Sequence, residues 1–171
     1  MITPTYEWQF APQFEDADFT KIAKKAGLGP EVARLLLERG IRDEESLKKF
    51  LEPSLEDLHD PYLLHDMDKA VARIRQAIEE GENILVYGDY DADGMTSASI
   101  VKESLEQLGA ECRVYLPNRF TDGYGPNASV YKYFIEQEGI SLIVTVDNGV
   151  AGHEAIELAQ SMGVDVIVTD H

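Results

Sequence analysis

Three aspartates at alternate positions follow a short apolar run in the segment ILVYGDYDADGM, residues 84–95. They are Asp89, Asp91 and Asp93, and a glycine comes directly after the last of them. Carboxylates held this close repel one another unless a cation or a set of hydrogen-bond donors compensates their charge. Two further polar segments come later in the chain, Asp147-Asn148-Gly149 and Asp170-His171. Several carboxylates with one imidazole suit Mn²⁺ or Mg²⁺ better than calcium.

Four apolar runs in the second half of the chain predict the strands that must position these acids. They are residues 84–87, 112–116, 141–146 and 164–169, with helical patterns between them. Regular alternation of strand and helix predicts right-handed crossovers and a parallel sheet in a three-layer α/β architecture. All strands of a parallel sheet end at the same edge. The three acidic segments are therefore expected to meet there.

The first half of the chain has a different pattern. Residues 30–39, 43–51 and 67–80 show helical spacing and helix start or stop signals. The expected organisation is a helical N-terminal region, residues 1–80, followed by an α/β region, residues 81–171.

The formal net charge of −17 is unevenly spread, with −6 over residues 1–80 and −11 over residues 81–171. A domain that wraps nucleic acid over a broad face is usually basic. The acids therefore either form a solubilising surface or hold divalent cations in part.

The chain carries few signs of an oxidising or membrane environment. Cys112 is the single cysteine, which excludes an internal disulfide and fits a reducing cytoplasm. No apolar run is long enough to span a bilayer. Residues 1–14 have no basic stretch followed by an apolar one, so no secretory signal is expected.

Other interpretations of the acids explain less. A calcium-binding EF-hand loop would need a bidentate glutamate where Ile100 stands, and a helix where a strand is predicted. An aspartyl-phosphate phosphatase would use one Asp-x-Asp pair but gives no role to Asp170-His171. Helix caps and turns account for any one segment, but not for all three at strand ends.

The same segments resemble the first three motifs of the DHH phosphoesterase superfamily, and most closely its RecJ-type single-strand-specific exonucleases. The resembling stretches are GDYDADG at 88–94, VDNG at 146–149 and TDH at 169–171, together with PNRFTDGYG at 117–125 and parts of the region before residue 81. Other branches, the inorganic pyrophosphatases and the hydrolases of short oligonucleotides or cyclic dinucleotides, place a histidine where Tyr87 stands. That difference favours the RecJ-type branch.

The resemblance implies a site with two Mn²⁺ or Mg²⁺ ions. It implies Asp91, Asp93 and Asp147 as the main ligands, with Asp147 bridging the ions. His171 is a further ligand, and Asp89 is either a ligand or an acid that orients water. The resemblance also implies supporting roles for Asp170 and Asn148 and a phosphate contact for Arg119, for which a solvated loop arginine is the alternative. Tyr124 either stacks on a base or packs beneath its loop.

The implied function is metal-dependent 5′-to-3′ hydrolysis of single-stranded DNA in repair and recombination. The expected location is the cytoplasm, and repair or replication proteins are candidate partners. The family's second motif-three histidine and its fourth-motif aspartate do not follow within the 171 residues. We therefore expect the N-terminal part of a longer enzyme, inactive by itself. Two alternatives stay open, a hydrolase of short oligonucleotides or cyclic dinucleotides and a non-enzymatic, metal-dependent interaction module.

Overall fold

The computed structural model describes residues 16–171. The prediction that the chain has no secretory signal rests on residues 1–14, which lie outside the described residues. The chain divides into two compact units after Asp60. The predicted boundary at residue 81 therefore falls within the second unit, because the helix before it packs on the sheet.

The first unit is helical in its described part. It contains α1 (Ala17–Lys25), α2 (Pro30–Glu38), α3 (Glu44–Leu51) and a 3₁₀ turn at Leu55–Asp57. The sequence sets the helix starts, since Asp16 accepts hydrogen bonds from the first turn of α1 and Asp43 forms a capping box with Ser46. Its core consists of buried apolar side chains from all three helices: Phe19, Ala23, Ala33, Leu36, Leu37 and Leu47.

The second unit is an α/β layer structure with a four-stranded sheet. Its elements in chain order are a 3₁₀ turn (Pro61–Leu63), α4 (Met67–Glu80), β1 (Asn83–Tyr87), α5 (Ala92–Gln107), β2 (Cys112–Tyr115), α6 (Ala128–Glu138), β3 (Ile140–Val146), α7 (His153–Ser161) and β4 (Asp165–Thr169). Every strand pair is parallel, and the strand order is β2-β1-β3-β4. The predicted parallel sheet is confirmed.

Helices cover both faces of this sheet. Ile84 and Val86 of β1 pack in one core with residues of α4 and α5. Leu85 and Tyr87, which point to the opposite face, pack in a second core with Tyr131 of α6 and with residues of α7. Strands buried on both faces read as continuous apolar runs, which explains the sequence pattern of β1 and β3. The three-layer architecture is confirmed.

A charged network joins the amino ends of the strands. The Arg73 guanidinium donates to both carboxylate oxygens of Glu82 (3.0 and 2.6 Å) and to Asp165 (2.6 Å). The Ser141 hydroxyl donates to Glu82 at 2.8 Å. The hydrogen bonds from Arg73 hold the pKa of Glu82 below its usual value. This network connects α4 to the segments that begin β1, β3 and β4, at the edge opposite the acidic residues.

No helix within residues 16–171 combines the length and the apolar character needed to cross a bilayer.

Candidate metal centre and nucleic-acid interface

The acidic segments lie at the carboxyl ends of β1 and β3, in the middle of the sheet. From β1 the chain crosses to β2 on one side, and β3 lies on the other side. Such a reversal of strand order opens a crevice where α/β proteins bind ligands. Asp89, Asp91 and Asp147 each place one carboxylate oxygen there, and the three oxygens lie within 4.8 Å of one another.

Asp91 belongs to this group and also begins α5. Its Oδ1 accepts hydrogen bonds from the backbone N–H groups of Asp93 and Gly94, both at 3.0 Å. The helix consequently starts at Ala92, within the acidic motif itself. A capping carboxylate that satisfies two free N–H groups stabilises a first turn despite the poor helix propensity of Asp and Gly.

Gly94 lets this first turn lie directly on the backbone of Asp89. A Cβ atom at position 94 would sit within 2.6 Å of the N, O and Cα atoms of Asp89, closer than real Cβ contacts allow. Asp89 is only 3% exposed, and its Oδ1 accepts from the N–H of Tyr90 at 2.7 Å. The glycine contact therefore holds Asp89 and Asp91 together.

Asp147 comes from the other strand in an unusual backbone conformation. Its φ of +61° lies in the left-handed region, which aspartate tolerates better than most residues. Burial raises the pKa of its carboxyl group, and the negative charges of Asp91, Asp93 and Asp89 raise it further. His171 opposes this effect, with Nε2 at 3.2 Å from Asp147 Oδ1. The cluster thus carries more negative charge than its neighbours compensate.

Asp93 is a predicted ligand that lies outside the group of three carboxylates, as the exposed His171 also does. It is the second residue of α5 and is exposed, outside the group of three carboxylates that share the crevice. Its charge still contributes to the raised pKa of Asp147. Its role as a metal ligand stays a prediction.

Asp170 and Asn148 hold the loops around the crevice. Asp170 accepts from the N–H of Val150 at 3.0 Å and from the N–H of His171 at 2.9 Å, which joins the end of β4 to the loop after β3. The buried Asn148 donates its amide to the carbonyls of Val146 (2.9 Å) and Tyr87 (3.3 Å). These contacts fix the backbone that carries Asp147.

A cationic and aromatic group lies beside the acids. The Arg119 guanidinium carbon sits 4.5 Å from the centre of the Tyr90 ring, a cation–π contact. Tyr90 meets Tyr124 edge to face, with 6.4 Å between ring centres. Tyr124 is 71% exposed and so does not pack beneath its loop. The charge of Asp89, followed by burial and the charges of Asp170 and Asp147, raises the pKa of Tyr124.

Sequence reasoning missed Tyr90. The only signal in the sequence was its position between Asp89 and Asp91. That position alone does not distinguish a functional tyrosine from a structural one. Tyr124 also lines a cleft of about 250 Å³ together with residues 149–152, Asp170 and His171. The acids therefore adjoin both an exposed aromatic surface and a cleft.

Comparison with known proteins agrees with this fold. The single-stranded-DNA-specific exonuclease RecJ of Bacillus subtilis is 41% identical over 172 residues, covering 100% of this chain and 22% of the relative. The crystal structure of RecJ from Thermus thermophilus in complex with Mn²⁺ matches with 31% identity and a TM-score of 0.63, over 94% of this chain and 22% of that one. Its Mg²⁺ complex matches with 28% identity and a TM-score of 0.53, over 94% and 19%.

This chain therefore spans less than a quarter of the length of each of these relatives. The model of the DHH family, N-terminal domain, matches residues 83–171, the segment that contains the sheet and all three acidic motifs. The chain belongs to the DHH family.

Proposed function

We propose that the whole protein hydrolyses phosphodiester bonds of single-stranded DNA in the 5′-to-3′ direction, in repair and recombination. The observation that carries this proposal is the convergence of Asp89, Asp91 and Asp147 from two strand ends to within 4.8 Å. The 41% identity to an exonuclease supports the substrate class. A cytoplasmic location and partners among repair or replication proteins belong to the same proposal.

The residues present fit Mn²⁺ or Mg²⁺. Asp89, Asp91 and Asp147 offer hard oxygen ligands, and the raised pKa of Asp147 marks a cluster that a divalent cation would neutralise. His171 and Asp93 adjoin the group and complete the proposed ligand set. When bound, a pair of such ions activates water and neutralises charge on the phosphate.

Arg119, Tyr90 and Tyr124 form the proposed contact with the strand. Arg119 is one of only four basic residues among residues 81–171, and its guanidinium lies on a ring next to the acids. A guanidinium pairs well with phosphate oxygens, and exposed aromatic rings stack on bases without regard to sequence. We assign Arg119 to the phosphate at the 5′ end and Tyr124 to a base.

Tyr87 bears on the choice between branches of the family. At the position where other branches place a histidine, its ring lies in the sheet core and its hydroxyl donates to the carbonyl of Gly125 at 3.0 Å. It thus supports the Arg119 loop. A tyrosine at this position, where the other branches have a histidine, favours a hydrolase of strands over one of cyclic dinucleotides.

The metal assignment is tested by a nuclease assay on the full-length protein with excess Mn²⁺ and a labelled single strand. Asp91→Asn is expected to abolish turnover. Glu103→Gln, which neutralises an exposed acid in the C-terminal half of α5, is the matched control and should keep full activity. An active Asp91→Asn enzyme would contradict the proposed site.

The assignment of Arg119 is tested with 5′-phosphorylated and 5′-hydroxyl strands. A lost charge-assisted contact is worth about 1.5–3 kcal/mol. Arg119→Ala should therefore reduce cleavage of the phosphorylated strand about ten- to a hundredfold more than that of the hydroxyl strand. Arg113→Ala removes an exposed arginine of β2 and should not alter the preference. Equal losses on both strands would remove Arg119 from the phosphate site.

A further inference from the structure

The loop between β2 and α6 carries both Arg119 and Tyr124, and two tyrosines of the sheet hold it by their hydroxyl groups. Tyr87 donates to the carbonyl of Gly125 at 3.0 Å. Tyr115, the last residue of β2, donates to Oδ2 of Asp122 at 2.7 Å. The loop is therefore attached to the sheet by side chains as well as by its own ends.

Asp122 is the centre of these contacts. Its Oδ2 also accepts from the backbone N–H of Asn118 at 2.7 Å, and its Oδ1 accepts from the hydroxyl of Thr121 at 2.9 Å. Its carbonyl accepts from the side chain of Asn127 at 3.0 Å. The hydrogen bond from Asn118, followed by that from Tyr115, lowers the pKa of Asp122, so the carboxylate stays charged at neutral pH.

The contacts of Asp122 close the turn that presents Arg119. Asn118 and Asp122 bracket Arg119, and the carbonyl of Asn118 accepts from the N–H groups of Thr121 and Asp122 (3.1 and 2.8 Å). Arg119 itself is exposed and reaches Tyr90. A long exposed side chain points in a defined direction only when the backbone beneath it is fixed, because its own rotamers are free.

The tyrosines offer a rigid base for this turn. The Tyr87 ring is fully buried and lies 5.5 Å from the Tyr115 ring and 5.2 Å from that of Tyr131. Such tilted and edge-to-face aromatic packing restricts ring motion and aligns the hydroxyl groups. The positions of Gly125 and Asp122 are thereby tied to the sheet core, from which Asp89 also emerges.

We propose that Asp122, held by Tyr115, is a positioning residue that sets Arg119 at the 5′ phosphate of the strand. It does not touch the strand, since donors of the loop and of Tyr115 occupy its oxygens. An acid this close to a polyanion would weaken binding, and its structural role offsets that cost. The inference rests on the proposed function, in which Arg119 binds the terminal phosphate.

The test uses the full-length protein with four variants, Asp122→Ala, Asp122→Asn, Arg119→Ala and the control Tyr133→Phe. Asp122→Ala should lower the preference for a 5′ phosphate about tenfold through a higher KM, with kcat at saturating strand little changed. Asp122→Asn should keep the preference, because its amide oxygen can still accept from Tyr115 and Asn118. Tyr133→Phe changes an exposed tyrosine of α6 and should behave as the wild type.

Hydrogen exchange provides a readout that does not depend on activity. The backbone amides of residues 118–122 should exchange faster in Asp122→Ala than in Asp122→Asn, while those of β1 and β3 stay unchanged. If Asp122→Ala does not fold, Tyr115→Phe removes only the hydroxyl and should still accelerate exchange in this segment. Unchanged exchange in the folded variants would overturn the proposal.

The activity data distinguish this proposal from the proposed function on which it rests. If Arg119→Ala loses the phosphate preference and Asp122→Ala keeps it, the positioning role is wrong and the proposed function stands. Equal losses in Asp122→Ala and Asp122→Asn would show that charge, not geometry, is involved, which also overturns the positioning role. If Arg119→Ala keeps the preference, both proposals fall.

Discussion

The capping role of Asp91 and its proposed metal contact can be separated by two substitutions. Asp91→Asn keeps an oxygen that can accept from the N–H groups of Asp93 and Gly94, whereas Asp91→Ala removes it. Loss of such a cap costs about 1 kcal/mol, with a range of about 0.5–2 kcal/mol. In the absence of metal, we therefore expect Asp91→Ala to lower the Tm of the unfolding transition of the domain that contains it by about 2–4 °C. The Tm of Asp91→Asn should equal or slightly exceed that of the wild type, since the substitution relieves repulsion from Asp89 and Asp147.

Metal should place the wild type above both variants. At a free Mn²⁺ concentration of about one hundred times Kd, binding to the folded state contributes about 2.7 kcal/mol of stability. The corresponding rise in Tm of the wild type is about 5–10 °C. Both Asp91 variants should lose most of this rise, because each removes one of three carboxylates within 4.8 Å.

The measurement is thermal unfolding of the full-length protein by circular dichroism, with EDTA and then with Mn²⁺, beside the control Glu103→Gln. A full Mn²⁺ shift in Asp91→Asn would show that Asp91 is not a ligand. An Asp91→Asn protein as unstable in EDTA as Asp91→Ala would refute the capping argument.

Three further outcomes are expected. Gly94→Ala should lower the free energy of unfolding, measured in urea, by about 1–3 kcal/mol, because the added Cβ meets the backbone of Asp89. The control is Gly29→Ala, whose Cβ meets only a side-chain atom at 3.5 Å. If Gly94→Ala lost no more stability than this control, the contact with Asp89 would be contradicted. The lowered pKa of Glu82 adds stability that is present above its ordinary value of 4.5 and is lost as pH falls through the folded-state pKa. Arg73→Met should flatten that part of the stability–pH curve. An unchanged curve would show that the Arg73 network does not contribute to the pH dependence of stability. Finally, the 171-residue chain alone should not cut a labelled strand in excess Mn²⁺, because residues 81–171 carry a net charge of −11 and little basic surface to hold DNA. Turnover equal to that of the full-length protein would show that these residues suffice.

The sheet was predictable because its strands are apolar on both faces. The runs that became β1 and β3 are rich in β-branched residues and differ little from their predicted bounds. The start of α5 was not predictable from propensity, since Asp and Gly at positions 91–94 favour a loop. The capping hydrogen bonds of Asp91 and the contact of Gly94 with Asp89 outweigh that preference, and the second of these exists only in the folded chain.

The site was predictable only as far as topology determines it. A parallel sheet brings the segments after its strands to one edge, and Asp89, Asp91 and Asp147 meet there. Topology does not determine where a side chain points, so the exposed position of Asp93 on α5 was not foreseen. The link between Tyr115 and Asp122 was equally invisible, because neither residue type signals such a pair at a distance of seven positions.

The left-handed backbone of Asp147 limits how the proposed nuclease activity can be removed for structural work. At a φ of +61°, asparagine is accommodated as easily as aspartate, whereas alanine or a β-branched residue would shift the chain and displace the neighbouring Asn148 and Gly149. Glutamate would keep the charge but carry it one methylene further away on a strained backbone. Asparagine is therefore the replacement at this position that removes the negative charge and leaves the neighbouring backbone in place. Crystals of an uncut strand with the full-length protein are best sought with Asp147→Asn.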